Sequence, residues 1–226
     1  MPYRDIKGRF IVFEGLDGAG KSTQVDMLVK RMQESLAISG SGQKVIKTME
    51  PAGTELGAAL RELMHSDNSL TMETRLWLIM AAREQHVQKV ILPALRNGDI
   101  VVCDRFDPST MAYQVAGGID PKIVSAMNNL ATKDMKSYMG ERIVIYLDIP
   151  AEIAFDRSKK RPEEPSVYEK KKGFMEKVLL RYRSMDNMIK FDAQLPPEVL
   201  HERIWTYVKT YINVNEAEDR GRIMER

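Results

Sequence analysis

Arg9-Phe10-Ile11-Val12-Phe13-Glu14-Gly15-Leu16-Asp17-Gly18-Ala19-Gly20-Lys21-Ser22-Thr23 is the stretch whose reading decides the fold class. The run from Arg9 to Phe13 is β-branched and aromatic and too short for a helix, so it reads as a buried strand. From Gly15 to Ser22 the chain matches G-x-x-x-x-G-K-[ST] in full, and Thr23 opens an amphipathic helical pattern. Strand, glycine-rich turn and helix in that order make a phosphate cradle. Gly15, Leu16, Asp17, Gly18, Ala19 and Gly20 turn backbone N–H groups inward, and the helix start at Lys21, Ser22 and Thr23 adds the positive end of its dipole. Lys21 brings a mobile positive charge, and the Ser22 hydroxyl suits Mg²⁺. A bound nucleoside triphosphate is implied. The motif alone leaves GTPases, ATPases, helicases and small-molecule kinases open.

Working outward, similar short runs recur at Lys44–Lys47, Asp99–Cys103 and Arg142–Leu147, with a weaker one at Met188–Ala193. Helical periodicity fills the intervals: Ser22–Leu36, Glu55–His65, Met72–Arg96, Pro121–Lys133, Ala151–Lys160, Tyr168–Asn187 and Pro197–Tyr211. Alternation of this kind predicts an α/β fold of the P-loop NTPase and kinase type, with a five-stranded, mainly parallel sheet and helices on both faces. No internal repeat or long linker divides the chain, so residues 1–214 are expected to form one domain. The charged segment 215–226 is set apart as a tail expected to lack order.

Composition narrows the function. The 226 residues carry 34 Lys+Arg against 32 Asp+Glu, a net charge of +2 that cannot hold a polyanion by bulk field. Nucleic-acid and polybasic membrane roles are therefore not expected. One cysteine, Cys103, excludes an internal disulfide framework, and His65, His86 and His201 show no zinc-ligand spacing. The first residues have charge where a signal peptide needs an apolar run, and no stretch approaches a membrane span. A cytoplasmic protein is expected.

Three further clusters could complete a phosphate site. Arg83 lies on the apolar stripe of the helix from Met72, where a buried guanidinium needs a carboxylate or phosphate partner; a structural ion pair and a ligand contact explain it equally well. Asp104-Arg105-Phe106 ends the third strand, where parallel sheets bind ligands, which places Asp104 near a metal and Arg105 near a second phosphate unless the two pair with each other. Arg157, Lys159, Lys160 and Arg161 precede Pro162 and Pro165. They read either as a solvated face or as a mobile lid over about 157–168 that carries cations to the phosphates.

These residues fall into four ordered blocks: Phe13 to Gln24, Glu50-Pro51-Ala52-Gly53-Thr54, Ala81 to His86, and Asp104-Arg105-Phe106 through Ala112-Tyr113-Gln114. In this combination the chain resembles the thymidylate kinase family, from about Phe10 to Tyr211. The resemblance implies ATP-dependent, Mg²⁺-assisted phosphorylation of dTMP to dTDP, in a homodimer, with a lid similar to the bacterial type. By the same resemblance Asp17 holds the acceptor 3′-hydroxyl, and Arg83 and Arg105 grip its 5′-phosphate. Tyr113 disfavours a ribose, Gln114 bonds the pyrimidine edge, Ser109 and Thr110 line the pocket, and Glu50 with Pro51 arranges sugar, water or metal contacts. Ser22 and Asp104 are the implied metal ligands. Lys21, Asp104, Arg105, Arg157, Lys159 and Arg161 carry the catalytic charge.

Departures bear on the base. Ile79 stands where the family commonly has a Phe that stacks on thymine, forfeiting about 1 kcal/mol of aromatic contact. Met49 replaces the usual Arg before Glu-Pro, Val115-Ala116-Gly117-Gly118-Ile119 replaces an expected Gly-Arg, and Lys159 stands for a lid Arg. The acceptor is therefore expected to be a deoxypyrimidine monophosphate, dTMP first, with dUMP or a 5-modified dUMP as the alternative. A P-loop switch or ATPase without an acceptor and a deoxynucleoside kinase are the competing readings. The first lacks an N-K-x-D motif to support it.

Overall fold

Every residue of β1 (Gly8–Gly15) is buried, because this strand is central and its side chains meet helices rather than water. The computed structural model describes residues 8–39, 42–67, 69–160 and 172–224. Strands β2 (Val45–Met49), β3 (Ile100–Asp104), β4 (Met139–Asp148) and β5 (Ile189–Asp192) join β1 in the order β2-β3-β1-β4-β5. Every pairing is parallel, so the sheet is wholly rather than mainly parallel. Phe10, Ile11, Val12 and Phe13 of β1 and Ile100, Val101, Val102 and Cys103 of β3 are fully buried and form the centre of the main core.

Register decides where chemistry can sit. Met49, Asp104 and Phe13 lie in one row across β2, β3 and β1. The row is extended by the Glu50 amide donating to the Asp104 carbonyl and the Arg105 amide donating to Phe13, at 3.0 and 2.9 Å. Glu50, Arg105 and Glu14 therefore lie side by side at the carboxyl edge of the sheet, where strand order reverses about β1 and α/β sheets bind ligands.

Helices α1 (Lys21–Ser39), α2 (Glu55–Ser66) and α3 (Met72–His86) agree closely with the periodicity. The segment expected as one helix over Met72–Arg96 is α3, a π-helical turn at Val87–Ile91, and α4 (Leu92–Arg96), with Pro93 in the last piece. A π turn accommodates one extra residue per turn and lets the helix continue. Helix α5 (Asp107–Ala116) was not legible as a helix. Its N-terminal residue Phe106 offers no side-chain cap, and the capping acceptor comes instead from Glu14 in β1, which takes N–H bonds from Phe106 and Ser109 at 2.8 and 3.2 Å. The remaining helices are α6 (Pro121–Ala131), α7 (Ala151–Ser158), α8 (Lys172–Arg183) and α9 (Pro197–Met224). The last carries the described backbone on to Met224, into the segment set apart as a charged tail. No helix among the described residues is long and apolar enough to cross a membrane.

Candidate active site

At the carboxyl edge, the turn after β1 takes conformations that its sequence anticipates. Gly18 has φ +88°, and a Cβ there would come within 2.1 Å of the Ala154 carbonyl, so α7 abuts the loop and only glycine fits. Lys21 is buried, and its Nζ donates to the Gly15 and Leu16 carbonyls at 3.1 and 2.9 Å. Burial and the nearby Arg105 charge lower its pKa to about 8, against the pull of Asp17, Asp104 and Glu14.

The Ser22 hydroxyl donates to Asp104 Oδ2 at 2.8 Å, so two hard oxygen ligands from α1 and β3 already face each other beside the loop. A divalent cation of the Mg²⁺ type fits this pair, because Mg²⁺ takes one or two protein oxygens and completes its shell with water and phosphate. No group of three or more His, Cys, Asp or Glu among the described residues could hold a metal.

Arg105 has φ +71°, a left-handed conformation that costs a non-glycine residue about 1–3 kcal/mol and is held by its bond to Phe13. Its Nη2 pairs with Asp17 Oδ1. Its Nη1 donates to the Ser109 hydroxyl at 2.9 Å and toward Tyr182 Oη at 3.3 Å. The Tyr113 hydroxyl reaches Asp17 Oδ2 at 3.3 Å. The expected alternative, an Asp104–Arg105 pair, does not form: each has a different partner.

Arg83 forms the structural ion pair that was one of the two readings left open by its position. Fully buried, it donates through Nε and Nη2 to Glu50 Oε2 at 2.9 and 2.5 Å, through Nη2 to Thr110 Oγ1 at 2.9 Å, and through Nη1 to Asn128. Burial alone would raise the Glu50 carboxyl, but the Arg83 charge and bonds from His86 and Arg83 outweigh it and hold the pKa below the usual carboxylate value. His86 Nδ1 lies 3.3 Å from Glu50 Oε1 and its Nε2 lies 2.6 Å from Thr48 Oγ1. Of the five N–H bonds an arginine offers, these account for four.

One cavity of about 390 Å³ joins these groups. Asp17, Lys21, Ser22, Asp104 and Arg105 line its loop end, and Glu50, Pro51, Ile79, Arg83, Phe106, Ser109, Thr110, Tyr113 and Gln114 line the rest. Met64, His65 and Arg61 of α2 and Arg75 of α3 also face it, none of which motif reading singled out. Gln114 is buried, and its Oε1 has no partner. Arg157 and Lys159, expected in a lid, are not among the residues that line this cavity, and residues 161–168 of that segment lie outside the described residues. Arg157 Nη1 donates to the Ala193 carbonyl at 2.8 Å, Lys159 lies over the Phe155 ring, and Arg161 falls outside the described residues.

A family model described as thymidylate kinase matches residues 13–204, which spans the loop, the cavity and most of the sheet. The chain belongs to the thymidylate kinase family. Among its relatives, the thymidylate kinase of Fervidobacterium nodosum is 36% identical over 208 residues, 90% of this chain and 100% of that one. That of Thermomicrobium roseum is 36% identical over 220 residues, 94% and 97% of the two chains. That of Alteromonas mediterranea is 33% identical over 215 residues, covering 92% of each. Ile79 and Met49, two of the departures from the family pattern, both line the cavity.

Proposed function

We propose that the protein transfers the γ-phosphoryl group of ATP to the 5′-phosphate of dTMP, giving ADP and dTDP, in the cytoplasm that a lone buried thiol at Cys103 suits. The observation that carries this reading is the single cavity running from Lys21, Ser22 and Asp104 to Gln114 and Ile79. An acceptor lying in it presents its phosphate to the loop that holds the donor. The acceptor phosphate is already anionic, so the residues position and stabilise charge and no general base is needed. Lys21 serves the donor phosphates. Arg105, beside the loop and free to exchange Asp17 for an anion, serves the acceptor phosphate. Arg83, neutralised by Glu50, offers its one spare N–H to the same acceptor phosphate from further along the cavity. Ser22 and Asp104 would hold Mg²⁺, which supplies neutralisation of the donor phosphates when bound.

Gln114 gives the base its test. A buried acceptor without a partner is suited to the N3–H of thymine or uracil, and cytosine has a bare nitrogen there, leaving a cost of about 1–3 kcal/mol. With Ile79 in place of a stacking ring, discrimination of dTMP from dUMP rests on burying one methyl group, about 0.8 kcal/mol or about fourfold. A coupled ADP-release assay over a panel of monophosphates is expected to give turnover in the order dTMP, dUMP, dCMP, only in the presence of Mg²⁺. Gln114→Leu should narrow the gap to dCMP to within about threefold. Turnover confined to purine monophosphates, or phosphate release with no acceptor, would reject the assignment.

The homodimer is a proposal of the same kind. Trp77 on α3 and Ile123 and Leu130 on α6 are 66%, 53% and 68% exposed, and they lie outside a small core of Leu76, Met80, Val115 and Val124. Covering that face with a second copy would remove the apolar side chains from water. Sedimentation at micromolar concentration should give twice the chain mass, and Leu130→Glu should return the monomer; a monomeric wild type would remove the dimer.

A further inference from the structure

Glu14 is fully buried, lines no part of the cavity and has no role in the phosphoryl transfer outlined above. Its two oxygens are nonetheless fully engaged. Oε1 accepts from the Phe106 and Ser109 amides, and Oε2 accepts from the Ser109 hydroxyl at 2.6 Å and the Tyr182 hydroxyl at 2.9 Å. The two hydroxyls are themselves 2.8 Å apart. Glu14 Oε2, Ser109 Oγ and Tyr182 Oη thus form a closed triangle, and both hydroxyls also face the same Nη1 of Arg105.

Proton counting gives the triangle a direction. An ionised carboxylate only accepts, and each hydroxyl has a single proton. Whichever edge each proton takes, both are used inside the triangle. The hydroxyl lone pairs are left pointing at Arg105, whose N–H groups need acceptors. We propose that Glu14 and Tyr182 are positioning residues that, through Ser109, aim the Arg105 guanidinium at the acceptor phosphate. The proposal rests on the acceptor reading given above. An amide at position 14 would donate into the triangle, push one hydroxyl proton outward and set it against the guanidinium. Tyr182 arrives from α8, far along the chain from the loop. Its ring stacks on Tyr146 at 5.2 Å, so removing the hydroxyl leaves the packing in place.

The test compares a ligand that has the phosphate with one that lacks it. Binding of dTMP and of thymidine to wild type, Tyr182→Phe and Glu14→Gln is measured by calorimetry, with KM for dTMP and for ATP alongside. Both variants are expected to bind dTMP about tenfold more weakly and to raise its KM equally, while thymidine affinity and the ATP KM stay within about twofold. A general loosening of the fold would weaken both ligands together, and that result would overturn the proposal. Unchanged dTMP binding in Tyr182→Phe would overturn it too. If Glu14→Gln does not fold, Tyr182→Phe alone decides. A wild type that bound no monophosphate would remove the acceptor reading itself, and the positioning role with it.

Discussion

Lys21→Ala is expected to lower kcat by at least about 100-fold while leaving the circular dichroism spectrum and Tm close to wild type. In a reaction that depends on positioning and charge stabilisation, a principal cation at the donor phosphates has no substitute nearby. Arg105 is given to the acceptor phosphate, Arg83 is paired with Glu50, and Arg157 donates to a carbonyl after β5. The fold is expected to persist because the contacts of Nζ stay within its own loop: the Gly15 and Leu16 carbonyls and, at 3.9 Å, Asp17 Oδ1. Full activity in the variant would refute the role. The same lysine sets a pH limit. Its pKa near 8 in the free protein lies below the usual 10.5, so the charge that binds phosphate is lost as pH rises through 8. ATP affinity should therefore fall about tenfold per pH unit above that value, with proton uptake on binding at pH 8 to 9. Stability runs the other way. Between 8 and 10.5 the unfolded chain holds the extra proton, so this residue favours the folded state increasingly over the window in which ATP affinity falls.

What could be read in the sequence was what depends on neighbours in the chain. The loop from Gly15 to Ser22, the four strong strands and the stripe that bears Arg83 are local patterns of turn chemistry and periodicity, and the structure keeps them within a few residues. Features built across elements were not legible. Helix α5 starts on a carboxylate from β1, so its own first turn carries no sign of a cap. Tyr182 reaches Glu14 from 168 residues away, and Asn128 reaches Arg83 from a different helix. His86 could have been found: it follows Arg83 by three residues, on the same face of α3, within a block already quoted. Contacts of the cations read as a solvated face or a lid were not legible either: Arg157 donates to the Ala193 carbonyl, and Lys159 lies over the Phe155 ring.

Glu50→Ala should be the most destabilising single change in the site. It strands the Arg83 guanidinium, 2% exposed, with only the neutral acceptors Asn128 and Thr110. Removing one partner of a buried pair costs about 3–5 kcal/mol, which for a chain of this size lowers Tm by roughly 6–20 °C. The double variant Glu50→Leu, Arg83→Leu should recover much of that loss, because a buried pair replaced by apolar side chains is often neutral, yet it should not recover acceptor turnover. Thermal melts and the acceptor assay on the same samples separate the two effects, and an unchanged Tm in Glu50→Ala would show that the pair contributes nothing. The sign with pH follows from the lowered Glu50 carboxyl. A group whose folded pKa lies below its unfolded 4.5 contributes stability above that value and loses it as pH falls through the folded one. Glu14 opposes this, because burial raises its carboxyl in the folded state. The Tm difference between wild type and Glu50→Ala, taken from pH 7 to pH 3, cancels Glu14 and should shrink as the pH falls. A difference that stayed constant over that range would mean that Glu50 acts by packing rather than by its charge on Arg83.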